Sequence, residues 1–165
     1  MPEKKTLERA AKAKRAGKSP STQAGAFVKE QIDHIREGKH GAKSAKQAIA
    51  IGLSEARRSG VKTKAPKKGT TSEATRKKAA QDTKAAHRTK RSPSTESKAK
   101  RSAVSTRVLK RESTKAASHK SLSRQSHAAA SRRSAADRSA AAKKGWATRR
   151  ARAAGASKGT RHASR

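Results

Sequence analysis

Between positions 19 and 60 the larger apolar residues recur at helical spacing. Phe27, Val28, Ile32 and Ile35 are separated by one, four and three positions, which gathers them on one face of a helix with 3.6 residues per turn. Ser19 followed by Pro20 reads as an N-cap with proline at the first helical position, where a missing N–H costs nothing. Gly38 supplies the stop. After the short basic loop KHGAK, Ser44 with Gln47 three residues on matches a capping box that opens a second helix. Its stripe is Ala48, Ile49, Gly52, Leu53 and Ala56, and Gly60 closes it. Two such helices joined by a short loop predict an antiparallel helical hairpin, with Phe27, Val28, Ile32, Ile35, Ile49 and Leu53 as its packing residues. A unit this small is expected to be marginal alone, so pairing into a homodimer through Phe27, Ile32, Ile49 and Leu53 is a further expectation.

Outside the hairpin the apolar pattern fades. Ten of the fifteen Met, Leu, Ile, Val, Phe and Trp residues fall within positions 1 to 61, leaving Val104, Val108, Leu109, Leu122 and Trp146 for the rest. The predicted fold class is therefore mostly α: a small N-terminal helical hairpin followed by a largely disordered, helix-prone tail rich in Lys, Arg, Ala and Ser. The boundaries read as a basic lead-in at 1–18, the hairpin at 19–60, a linker at 61–70 and a low-complexity tail with separate helical segments at 71–165. The lead-in is expected to form a frayed helix ending at Gly17 with nothing to pack on. A capping pair at Thr70 and Glu73 predicts a third helix from Thr71 to about Lys90, carrying alanine but no larger apolar face. RSPST at 91–95 echoes KSPST at 18–22, a reused helix-start signal.

Charge changes the picture more than any motif. Lys and Arg number 45 against 11 Asp and Glu, a formal net charge of +34. Residues 1–60 hold 14 and 6 of these, and residues 61–165 hold 31 and 5, so most of the excess lies in the tail. Self-repulsion of this size opposes compaction and attracts a polyanion. Leu, Ile, Val and Phe together make only 13 residues, far below the roughly 20% under which highly charged chains tend to stay disordered. Zero cysteines exclude disulfides and thiolate zinc sites. Neither a membrane-spanning apolar run nor the apolar stretch of a signal peptide occurs, which predicts a cytoplasmic location, at the nucleoid, and no membrane partner.

The chemistry such a chain offers is phosphate contact. Basic doublets recur at Arg57 and Arg58, Lys67 and Lys68, Lys77 and Lys78, Arg132 and Arg133, Lys143 and Lys144, and Arg149 and Arg150, separated by small residues that allow close approach to a groove wall. These are the candidate nucleic-acid-binding residues. Duplex DNA is the expected partner, bound without sequence preference, because base reading needs a rigid scaffold and the chain contains no Asn. An RNA- or ribosome-associated role is the alternative, weakened by the near absence of aromatic stacking residues: one Phe, one Trp and no Tyr. No GxSxG elbow, P-loop or HExxH occurs, and the apolar residues are too few to build a water-excluding pocket, so no catalytic residue, cofactor or enzymatic activity is expected. The six histidines lack metal-ligand spacing and read as exposed weak cations; no metal site is expected. Glu30, Asp33 and Glu37 read as helix-face partners for Lys29 and Arg36. Serines before proline at 19 and 92 permit phosphorylation, which would subtract charge and weaken DNA binding.

The block KSPSTQAGAFVKEQIDHIREGKHGAKSAKQAIAIGLSEARRSGVK, with KQAIAIGLSEARR its most specific part, resembles a family of small uncharacterised basic bacterial proteins often labelled as DNA-binding or plasmid-stabilisation proteins. The downstream run LKRESTKAASHKSLSRQSHAAASRRSAADRSAAAKKG is similar to that family's tail, and in composition to linker histones. The resemblance implies a histone-like, nucleoid- or plasmid-associated role, with a plasmid-maintenance adaptor gripping a protein partner through the hairpin as its variant. It implies no active-site residues.

Overall fold

The structure is a computed structural model that describes residues 2–66, 68–86 and 97–160. Seven α-helices and one short 3-10 turn make up the regular structure, and no strand occurs among the described residues. In order these are α1 (Lys4–Arg15), α2 (Pro20–Arg36), α3 (Ala45–Arg58), α4 (Glu73–Ala85), α5 (Lys98–Arg111), the 3-10 turn Thr114–Ala117, α6 (His119–Ser131) and α7 (Ala135–Thr160). The chain divides into two compact units, Met1–Leu122 and Ser123–Arg165.

The hairpin α2–α3 forms where the apolar spacing placed it. Ser44 caps α3, its hydroxyl accepting from the Gln47 N–H at 3.3 Å, while the Gln47 side-chain carbonyl accepts from the Lys43 N–H at 2.7 Å, one residue earlier than a strict capping box. Each helix ends in a left-handed glycine, Gly38 at φ +73° and Gly60 at φ +87°. The residue beyond each glycine bonds back into the last turn, Lys39 N–H to His34 O at 3.0 Å and Val61 N–H to Ala56 O at 3.0 Å. Val61 is thereby folded back and buried beside Ala56.

What packs on the hairpin departs from expectation. A small hairpin with a largely disordered tail is not what the chain forms: in the first unit, α1 packs on α2, α4 on α3, and the 3-10 turn against both α2 and α3. Phe27 lies fully buried among Ala10 of α1, Ala24, Ala56 and Val61, with Leu53 against them. Ile35 is equally buried among Ala42, Ala48, Ala116 and Ala117, with Ile32 alongside. Val28, Ile32, Ile49 and Leu53 are half-buried. The physical reason is the alanine. Small side chains let helix backbones approach until Cβ atoms alone close the gap, so a core needs few large residues. Complete burial of Phe27 contributes about 1.5–3 kcal/mol, and it is the surrounding methyl groups that achieve it.

Three local expectations are corrected with the same logic. The lead-in packs, burying Thr6 and Ala10. The third helix starts at Glu73, capped by Ser72 through the Thr75 N–H at 3.3 Å, because Ser72 holds the extended backbone a cap requires; Glu73 instead pairs with Arg76. That helix ends at Ala85, short of the expected Lys90, and residues 87–96, with the RSPST echo and Ser92, lie outside the described residues. It does bury a face: Ala79 and Asp82 are covered, and Asp82 accepts from the Ser54 hydroxyl of α3 at 2.7 Å. Finally, the loop KHGAK is not simply solvated. Gly41 N–H donates to Leu109 O at 2.9 Å and Ala42 N–H to Ser113 O at 3.1 Å, tying the loop to the end of α5.

The second unit holds residues of a different character. Ser134 caps α7, its hydroxyl accepting from the Asp137 N–H at 3.1 Å and donating to the Asp137 carboxylate at 2.9 Å. Except at half-buried Gly145, every described side chain of α7 is exposed, including Trp146 at 66%.

Candidate nucleic-acid interface

Five acidic residues of the first unit, Glu3, Asp33, Glu37, Glu73 and Asp82, are ion-paired with its own cations. Lys29 pairs with Asp33, Lys39 with Glu37 at 2.9 Å and with Glu3 at 3.6 Å, Arg76 with Glu73 at 2.7 Å, and Lys78 with the buried Asp82 at 3.2 Å. Arg36, expected to pair on its own helix, instead donates from Nε to Ala117 O at 3.1 Å. Charge pairing shows in the side chains' proton affinities: Arg76 holds the Glu73 carboxyl below its ordinary range, and Glu37 raises Lys39.

The second unit has no such compensation. Residues 123–165 contain 12 Lys and Arg against a single acid, Asp137, and among the described residues none of these cations forms an ion pair. Seven of them lie on α7, a helix about 39 Å long at 1.5 Å per residue. Duplex DNA presents one charge per about 1.7 Å of axis, so α7 alone carries cations for roughly a third of the phosphates it spans. They are not confined to one face. Lys143 and Arg150, seven apart, share one side, while Arg138 and Arg149, eleven apart, share another. A helix bare of apolar cover and charged all round suits a polyanion that surrounds it better than a flat protein surface.

The basic doublets expected from sequence are distributed unevenly. Lys143, Lys144, Arg149, Arg150, Arg132 and Arg133 are exposed. Lys68, Lys77 and Arg58 are exposed as well, Arg58 with its Nε donating to Ser54 O at 3.3 Å. Lys78 is held by Asp82. Arg57 is turned inward, only 7% exposed, with its Nε lacking a partner, so it does not face a ligand. Lys67, His87 and His162 lie outside the described residues.

One basic cluster was not singled out by sequence. Arg107, Lys110 and Arg111 stand on one face of α5 beside Ser102, Ala103 and Thr106, lining an open cavity of about 650 Å³. Lys100, seven residues before Arg107, extends the stripe. The signal was present as a spacing of three and four between cations, but doublet counting passes over it. Small residues beside the cations leave the room a sugar-phosphate strand needs.

The described residues define a mostly α-helical polycation assembled on small residues. Residues 11–69, covering the last five residues of α1 and all of α2 and α3, match the profile of a family of unknown function (DUF6496). The downstream run from Leu109 to Gly145 falls outside that match. No curated protein and no solved structure matches the chain. No helix among the described residues is long and apolar enough to cross a membrane.

Proposed function

We propose that this chain binds nucleic acid, duplex DNA foremost, through phosphate contacts that require no particular base sequence, and that it condenses DNA in a nucleoid- or plasmid-associated setting. The observation that carries the reading is the surface of α7, which exposes cations on more than one side, none of them ion-paired among the described residues. Each cation that reaches a phosphate releases a condensed counterion, so binding is driven by entropy and falls with salt. The stripe Arg107, Lys110 and Arg111 adds a second contact surface on the first unit. The protein acts by binding and neutralisation, with no chemical step.

The test is the affinity of the full chain for duplex DNA, double-stranded RNA and single strands across a salt series. Duplex DNA should be bound with a slope of about −0.9 per neutralised phosphate and little dependence on sequence. A variant with Lys143, Lys144, Arg149 and Arg150 replaced by Ala should bind with a shallower slope. A shallow slope in the parent chain, or no response to that variant, would sink the proposal, and a clear preference for RNA at physiological salt would replace DNA by RNA as the partner.

A further inference from the structure

Among the described residues, the one buried carboxylate oxygen without a hydrogen-bond partner lies on the side of the first unit where negative charge is concentrated. Glu30 of α2 is only 6% exposed; its Oε1 accepts from the Glu3 N–H at 2.7 Å, and its Oε2 has no hydrogen-bond partner. One turn further along α2, His34 brings Nε2 to 2.9 Å from Glu3 Oε1, its side chain 18% exposed. One ligand-capable atom from each of Glu3, Glu30 and His34 lies within 4.8 Å of the other two. A cavity of about 210 Å³ opens between α1 and α2 beside them, with Asp33 and Glu37 on its wall.

We infer that Glu3, Glu30 and His34 form a binding site for a divalent transition-metal cation, with zinc the ion their chemistry fits best. An imidazole nitrogen with two carboxylates is a donor set for zinc, which takes such ligands at about 2.0–2.2 Å in tetrahedral geometry. Bonds of that length place neighbouring ligand atoms about 3.3 Å apart, so only a small rearrangement of the cluster is needed. Three protein ligands leave the fourth position to water. The spacing of Glu30 and His34, four residues apart on one helix, fixes two ligands on one face before the third arrives. The cation would give the unpartnered Glu30 oxygen the positive charge that its burial otherwise denies it. Magnesium is disfavoured, since it prefers oxygen ligands and keeps its waters.

The net charge of +34 does not forbid this. Charges beyond about 10 Å are largely screened at ordinary salt. Of the nearby cations, Lys29 and Lys39 are already held by Asp33 and Glu37, while Lys5 and Arg9, which also line the cavity, are exposed to screening by solvent. Binding would draw Glu3 from its 3.6 Å contact with Lys39 and clamp the segment ahead of α1 onto α2. The sequence hid the site because its third ligand stands 27 residues from Glu30, on a stretch whose packing the apolar pattern does not announce.

The experiment is calorimetric titration of the metal-free full chain with zinc chloride alone, with magnesium chloride as comparison. Zinc should bind one-to-one and raise the melting temperature, and magnesium should do neither. Glu3→Gln and His34→Gln should each weaken zinc binding by at least about tenfold, while His127→Ala on exposed α6 should leave it unchanged. Because the Glu3 side chain is 52% exposed, Glu3→Gln decides the matter even if His34→Gln perturbs the fold. Zinc binding that is absent, or equal in Glu3→Gln and the parent chain, overturns the assignment.

Discussion

Gly52 of α3 rests against the backbone of Val28 in α2: a Cβ at position 52 would lie 2.6 Å from the Val28 Cα and 2.9 Å from its N. Neither neighbour is a flexible side-chain tip, so the two helices must separate to admit even a methyl group. Gly52→Ala is expected to cost about 1–3 kcal/mol by overpacking. Gly25, also helical in α2 but with nothing within 4 Å of its would-be Cβ, provides the contrast. Gly25→Ala should gain roughly 0.5–1 kcal/mol from helix propensity. Urea unfolding followed by circular dichroism reads both, and equal effects at the two sites would remove the close-approach argument.

The docking of the loop after α2 onto the end of α5 is equally specific. A Cβ at Gly41 would overlap the Glu112 carbonyl. Gly41→Ala is expected to detach this segment and speed hydrogen exchange at the Ala42 amide, which donates to Ser113 O. Exchange in the middle of α3 should change much less, since Phe27, Ala56 and Val61 hold that region independently.

Glu55 gives a dependence on pH. Burial, with Glu30 nearby, pushes its carboxyl above the ordinary 4.5, and a hydrogen bond from Gln31 Nε2 at 2.7 Å only partly offsets this. A carboxyl whose pKa is raised on folding binds its proton more readily in the folded chain, so its ionisation lowers stability as pH rises through that window. Glu55→Gln should therefore melt higher than the parent at pH 7, with the gap closing as pH falls toward 4.5. A gap that widens on acidification would contradict the assigned cause.

Position decides which cations matter for binding. Arg57→Met, at a buried site with an unpartnered Nε, should leave the salt slope for duplex DNA unchanged and stability equal or higher. Replacing Arg107, Lys110 and Arg111 by Ala should make the slope shallower by about 0.9 for each phosphate that is no longer neutralised. Gel-shift titrations at several salt concentrations distinguish the two.

Trp146, the only tryptophan, reports on α7 directly. At 66% exposure it should be freely quenched by acrylamide in the free protein and shielded when duplex DNA is added. Quenching that is unchanged at saturating DNA would place α7 outside the interface.

Much of the local structure was legible along the chain. The starts at Ser19 and Ser44 and the stops at Gly17, Gly38 and Gly60 depend on one residue's backbone preference or one side-chain cap, so they survive any tertiary context. The apolar spacing likewise located the hairpin and its two fully buried large residues, Phe27 and Ile35. The cap of α4 was misplaced because Thr70 and Ser72 are chemically alike, and only the backbone at Ser72 selects between them.

By itself, then, the sequence determined where the first helices begin and end, that the chain is mostly α, and that it carries a large excess of positive charge. The tertiary structure decided the rest: that Ala10, Ala116 and Ala117 complete a core, that Arg57 points inward while Arg107, Lys110 and Arg111 line an open face, and that Glu3 meets Glu30 and His34. The reason is physical. Caps and periodicity act over a few residues and are written locally, whereas an alanine is core or surface according to how closely another helix approaches, and that distance is set by residues far apart in the chain.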